Sequence, residues 1–146
     1  MVNQIRQAIK SVCDPEIPVL TIVDLGILRM IEQTGNDITV TITPTYSGCP
    51  AMDTISADIV EAATRAGASS VRVNTVLSPA WTTEWMSVEG RRKLTEFGIA
   101  PPGTDPICPQ CSAPNPRQIS EFGSTACKAL MVCSDCGEPF DRFKNL

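Results

Sequence analysis

The chain has 146 residues, 42% of them hydrophobic and only 5% aromatic, with 12 Lys and Arg against 16 Asp and Glu for a formal charge of −4. That length suits one modest domain with a small appendage, and the acidic balance argues against a dedicated nucleic-acid surface. The absence of histidine removes Ser-His-Asp and Cys-His nucleophile systems, HExxH zinc hydrolases and histidine-ligated di-iron centres.

In chain order, Ile5, Ala8, Ile9 and Val12 recur at helical spacing over residues 3–13, with Arg6 and Lys10 opposite. Asp14-Pro15 ends that helix, because a residue before proline avoids the α region. Ile17–Leu25 reads as loop with a short turn of helix. Ile27–Gln33 and Ile38–Thr43 read as strands joined by a hairpin turn at Thr34-Gly35-Asn36-Asp37. In the second strand Ile38, Val40 and Ile42 alternate with threonines, so one face is buried and the other polar. Thr45–Pro50 forms a loop. A helix follows, with Met52, Ile55, Ile59, Ala62 and Ala66 as its inner stripe and Gly67 as its stop. Val71, Val73 and Val76 suggest a third strand, and Ser87 caps a short helix to about Phe97. Ile99–Pro106 is a proline-rich linker. The expected fold is α+β: a small sandwich of helices on a mostly antiparallel sheet over residues 1–100, followed by a second domain at 106–146.

The second domain is announced by Cys108-Pro109-Gln110-Cys111 and Cys133-Ser134-Asp135-Cys136. Each CxxC puts two sulfurs on one tight turn, and two such turns complete a tetrahedron. The 21 residues between Cys111 and Cys133 allow a hairpin of Arg117–Phe122 with Cys127–Val132, with a third strand at Phe140–Phe143. This is the pattern of a four-cysteine zinc ribbon, whose ion has a structural role, since a segment of about 40 residues buries too little apolar area to fold alone. A rubredoxin-like iron site and an exchangeable iron–sulfur site are the alternatives. Cys127, six residues before Cys133, is too far along a strand to join the same tetrahedron; it is either a core thiol or part of a second site.

No apolar signal-like segment opens the sequence and no run of about 18 apolar residues occurs, so a cytoplasmic protein with no membrane partner is expected. There, seven cysteines read as ligands or reactive thiols more readily than as disulfides. Cys49 precedes Pro50 at the start of the central helix, where the macrodipole lowers a thiol pKa; the plainer reading is a small buried filler. Thr45, Tyr46 and Ser47 stand by as hydrogen-bond partners. Asp14 and Glu16 flank Pro15 either as a paired-carboxylate site or as a solvated turn. Trp81, Trp85 and Met86 are either a partner-binding face or a lid over the sheet. An uncovered sheet edge leaves a homodimer open.

Two stretches carry a family resemblance. Asp14-Pro15-Glu16-Ile17-Pro18-Val19-Leu20-Thr21-Ile22-Val23-Asp24-Leu25-Gly26 resembles the signature of the iron–sulfur-assembly domain of SufT-like and cytosolic assembly-targeting proteins. Thr43-Pro44-Thr45-Tyr46-Ser47-Gly48-Cys49-Pro50 matches its second motif, and the resemblance, over residues 3–78, implies that Cys49 is a functional thiol; Asp14, Glu16 and Thr45 are expected to support it. Beyond it, Ser78-Pro79-Ala80-Trp81-Thr82-Thr83-Glu84-Trp85-Met86, Gly98–Pro102, and Ser120–Lys128 within the ribbon are similar to the PaaD-like family of phenylacetate-degradation proteins.

That resemblance implies a multicomponent monooxygenase that converts phenylacetyl-CoA to its ring 1,2-epoxide, pairing a di-iron oxygenase with an iron–sulfur flavin reductase. The PaaD-like component would mature a metal centre, with iron or an iron–sulfur cluster in transit and with the other epoxidase subunits or assembly proteins as partners. The residues agree in part: without histidine the chain is a poor candidate for the di-iron component, and without a Gly-rich dinucleotide fingerprint it is not the reductase. The competing readings are a purely structural bridging subunit and an enzyme with Cys49 as nucleophile, which lacks an evident base.

Overall fold

The computed structural model describes residues 2–45, 51–103 and 106–144. The chain divides into two compact units, Met1–Ser87 and Val88–Leu146. In the first, helix α1 (Val2–Lys10) packs against helix α3 (Ala51–Arg65). Ile5 and Ile9 of α1 and Ile55 and Ile59 of α3 are fully buried, as a 3.6-residue period requires. The stripe on α3 continues through buried Ala63 rather than through Ala62 and Ala66, which are half-buried.

Strands β1 (Leu28–Thr34), β2 (Asp37–Ile42) and β3 (Ser70–Thr75) form one sheet in the order β1-β2-β3. β1 and β2 are antiparallel across Gly35-Asn36, with Gly35 at φ 62°, a conformation glycine adopts without strain. β2 and β3 are parallel, Ile38 opposite Val71 and Val40 opposite Val73. The sheet is therefore mixed, a correction to the antiparallel sandwich expected. β3 is reached through α3, and a helical crossover returns the chain in its original direction. Ile38, Val40 and Ile42 are buried and the threonines between them half-buried, as the alternation predicts.

The segment between α1 and β1 is pinned by its own polar groups. Helix α2 (Ile22–Leu25) is a single turn closed by a capping box: Thr21 Oγ1 accepts from the Asp24 N–H at 3.0 Å, and Asp24 Oδ2 accepts from the Thr21 N–H at 3.2 Å. Gly26 then turns the chain at φ 80°. Residues 81–87 fold over this turn. The Trp81 indole N–H donates to the Leu25 carbonyl at 2.8 Å, and the Ser87 N–H donates to the Asp24 carbonyl at 2.9 Å. Trp81 and Met86 are buried, so they act as a cover, not as an exposed docking face. Trp85 is half-buried, with the Arg29 guanidinium 3.8 Å above its ring.

The second unit holds helix α4 (Val88–Glu96) and strands β4 (Ile99–Ala100), β5 (Arg117–Ser120), β6 (Lys128–Val132) and β7 (Pro139–Phe143), in sheet order β4-β7-β6-β5. The hairpin and third strand of the expected ribbon are thus present. β4 adds to it in parallel to β7, Ile99 opposite Asp141. This pairing draws residues 88–100 into the second unit, so the division falls at Ser87 and Val88, ahead of the proline-rich stretch. A strand of two residues has no period to read.

Gly26 has no room for a side chain: a Cβ there would lie 2.6 Å from both Trp85 Cβ and the Trp85 carbonyl oxygen. Gly26→Ala should therefore destabilise the first unit by about 2 kcal/mol or more, the left-handed backbone and the clash acting together. Denaturant unfolding followed by tryptophan fluorescence checks this, since both tryptophans, Trp81 and Trp85, lie in that unit.

Candidate metal centre and the loops of the first unit

Cys108, Cys111, Cys133 and Cys136 bring their sulfurs within 4.8 Å of one another. Cys108 Sγ lies 3.8 Å from Cys136 Sγ, and Cys111 Sγ 3.5 Å from Cys133 Sγ. These are non-bonded separations, and they match the edge of about 3.8 Å that a tetrahedron of Zn–S bonds near 2.3 Å requires.

The two knuckles are built alike. In the first, the Ser112 N–H donates to the Cys108 carbonyl at 2.9 Å and the Cys108 N–H to the Ala113 carbonyl at 3.0 Å. In the second, the Gly137 N–H donates to the Cys133 carbonyl at 3.1 Å and the Cys133 N–H to the Glu138 carbonyl at 2.9 Å. The residue closing each turn is left-handed, Ser112 at φ 64° and Gly137 at φ 76°. Each sulfur also faces the N–H two residues on. Gln110 donates to Cys108 and Asp135 to Cys133, both at 3.4 Å, and the N–H groups of Ala113 and Glu138 favour the thiolates of Cys111 and Cys136.

This array is suited to thiolates, whose charge the aligned N–H dipoles stabilise. Cys133 is lowered to about 6, chiefly by the N–H of Cys136, with that of Asp135 adding and burial opposing. For Cys111 the Ala113 N–H is the largest influence and favours the thiolate. The hydrogen bond with Cys133, burial and the other two sulfurs outweigh it and raise the group to about 12. Four sulfurs this close share protons unless a cation takes their place. The donor set and its spacing fit a single soft-to-borderline metal ion.

The other cysteines stand apart. Cys127 is buried, its Sγ 3.0 Å from Thr125 Oγ1, and is not in the cluster. Cys13 is half-buried, and its thiol donates to the Ser11 carbonyl at 3.5 Å. Cys49, with Tyr46 and Ser47, lies outside the described residues. Thr45 is half-buried. Asp14 is buried, and its Oδ1 accepts from the N–H groups of Glu16 at 2.7 Å and Ile17 at 3.1 Å. It caps the turn through Pro15, with the Glu16 side chain half-buried beside it. Asp24, given no role in the sequence reading, is a buried carboxylate joined to Thr21 and to Ser87 Oγ at 3.4 Å. The Thr-x-x-Asp spacing was the available signal.

A mixed α/β unit followed by a four-cysteine ribbon defines a two-part protein of the iron–sulfur-assembly class. Residues 3–75 match the family described as "Iron-sulfur cluster assembly protein", and residues 101–144 match the "PaaD zinc beta ribbon domain". The chain belongs to the PaaD-like family. It is 47% identical, over 98% of its length and 92% of the relative's, to a protein of Escherichia coli (strain K12) provisionally named as one of the subunits of 1,2-phenylacetyl-CoA epoxidase. It is 34% identical, over 63% of its length and 89% of the relative's, to an "Fe-S protein maturation auxiliary factor" of Porphyromonas gingivalis (strain ATCC BAA-308 / W83). Among solved structures, a domain of unknown function from Bacillus anthracis superposes with a TM-score of 0.58 at 29% identity, covering 63% of this chain and 89% of that one. A conserved hypothetical protein of Thermotoga maritima gives 0.53 at 33% identity, covering 64% and 93%. No helix among the described residues is long and apolar enough to cross a membrane.

The equivalence of Ser112 and Gly137 gives a paired test of the knuckles. Gly137→Ala should cost about 1–2 kcal/mol, because only the second turn then gains a side chain at positive φ. Ser112→Gly should be neutral or stabilising. Metal release to a chromogenic chelator should be faster than wild type for the first variant only.

Proposed function

We propose that this chain is an accessory subunit of a phenylacetyl-CoA epoxidase, which matures a metal or iron–sulfur centre of the oxygenase or its reductase, and that Cys49 is the working thiol. The observation that carries this reading is a single chain joining an assembly-family segment to a PaaD-type ribbon, with 47% identity to the Escherichia coli protein along 98% of its length. The name of the Porphyromonas gingivalis relative supports the maturation role. In sequence, Cys49 lies two residues before the start of α3 at Ala51, where helical N–H groups favour a thiolate. There it would ligate iron or a cluster in transit, with Thr45, Asp14 and Glu16 supporting.

The quartet of Cys108, Cys111, Cys133 and Cys136 would hold zinc. An all-thiolate tetrahedron closed on four sides is the structural form of that ion, with no open position for a reacting ligand. A polynuclear cluster would spread its four cysteine sulfurs over two or more irons, wider than the 4.8 Å within which all four lie here. Zinc there supplies folding free energy, about 10–16 kcal/mol in comparable peptides.

Elemental analysis of the purified protein should give one zinc per chain, retained in Cys49→Ala and lost in Cys133→Ser. A strong chelator should melt the second unit while leaving the tryptophan signal of the first in place.

The maturation role is tested with Cys49→Ala in a reconstituted or co-expressed epoxidase. The variant should fold and keep its zinc, yet leave the partner's iron or cluster content greatly reduced. Full cofactor content and full epoxidation with this variant would overturn the role. Fixed-stoichiometry co-purification would then favour a bridging subunit.

A further inference from the structure

An acidic protein would be expected to cover its cations with its carboxylates. One groove of the first unit does not. It is about 280 Å³ in volume and is lined by Arg6, Lys10, Val23, Leu28, Arg29, Met30 and Ile31, with no Asp or Glu among them. Arg6 and Lys10 stand one turn apart on α1, and neither makes an ion pair among the described residues. Arg29 is stacked on Trp85 at 3.8 Å, which holds the guanidinium plane while leaving its edge donors for another group. Val23 and Met30 are exposed, Met30 by 53%. The nearest carboxylate on β1 is Glu32, which pairs with Thr39 beyond the lining.

The groove also runs along a sheet edge. Among the described residues β1 pairs with β2 only, so its other side is a sheet edge with N–H and C=O groups open to a further strand. A register shift between Leu28 and Met30 bulges the strand within the groove. Bulges are one way edges are kept from sticking to themselves. Three cations, apolar contacts and an open strand edge coincide.

We propose that this groove docks an extended acidic segment of a partner protein, which adds to the β1 edge while its carboxylates meet Arg6, Lys10 and Arg29. Backbone hydrogen bonds would supply affinity. Alternation along the bound strand would turn acidic side chains toward α1 and apolar ones toward Val23 and Met30. The charge complementarity selects the acidic partner: the chain carries −4 overall, so a second copy would bring net repulsion to this surface, weakened by salt. The inference does not depend on the role of Cys49.

The test uses the full chain, zinc-loaded and isotope-labelled, with a peptide of about twelve residues alternating Val and Glu as probe. Amide shifts and slowed hydrogen exchange should concentrate on Leu28–Ile31, and binding should weaken as salt rises. The same peptide with Lys in place of Glu should not bind. Arg6→Gln with Lys10→Gln should weaken the acidic peptide at least tenfold with the tryptophan signal unchanged. Absence of shifts at β1, or equal binding of the Lys peptide, would overturn the proposal. So would the same shifts appearing on concentration of the protein alone, which would assign the edge to a second copy. Binding to phosphatidylserine vesicles without peptide binding would assign the groove to a membrane and likewise overturn it.

Discussion

The second unit depends on a quartet of sulfurs, two of which, Cys108 and Cys133, belong to its core as much as to its candidate metal centre, while Cys111 and Cys136 face out. Its cluster of buried residues is Ala100, Cys108, Met131, Cys133 and Phe140, with Ala113 packed against it. Two of these five are members of the quartet, so coordination and apolar packing share the same side chains. A ribbon of this size has little else to bury. Loss of a bound ion would therefore do more than open a site: sulfurs set against the small core would have to take up protons in its place. β4, two residues long, pairs with β7, and its Ala100 sits in the same cluster.

In the first unit the organising groups are buried carboxylates bound to backbone. Asp14 closes the turn through Pro15 and Asp24 closes the single helical turn α2, while Ser87 and Trp81 tie the later segment to that turn. An Asp used in this way gains N–H bonds that offset the cost of burial. The acidic motif at 14–26 is therefore first a device for shaping a loop. Any part that Asp14 takes beside Cys49 must be reconciled with an Oδ1 already bonded to two amides.

Much of this was legible in the sequence, and the exceptions share a cause. Periodicity gave α1, α3, β1 and β2 to within a few residues, and the span between the CxxC turns gave the ribbon strands. The paired CxxC turns gave the quartet because their chemistry is local. The failures mostly concern partners distant in sequence. Nothing in the residues 70–75 says that their neighbour runs parallel; that follows from the crossover through α3. For Trp81 and Met86 the sequence left a partner face and a lid equally open, and only the hydrogen bonds of their segment to Leu25 and Asp24 decide for the cover. The left-handed Ser112 was hidden for a local reason, because a serine carries no mark of positive φ, whereas Gly137, its counterpart in the second knuckle, does.

The cysteines sort by the polarity of what faces the sulfur. In the quartet, amide N–H groups point at every Sγ, a setting that favours the thiolate and hence the metal. Cys13 Sγ instead faces the Ser11 carbonyl oxygen at 3.5 Å, and Cys127 has a hydroxyl oxygen against its sulfur. A CxxC turn produces the first setting automatically, because the N–H two residues on is carried round to the sulfur; an isolated cysteine on a strand or after a helix has no such geometry. For Cys49, which lies outside the described residues, the proposed role as a working thiol rests on its place in the sequence, two residues ahead of α3, because the first amides of a helix lack acceptors of their own. On that proposal, the amide dipoles that favour thiolates in the quartet would also let one sulfur, without three companions, bind a metal weakly enough to pass it on.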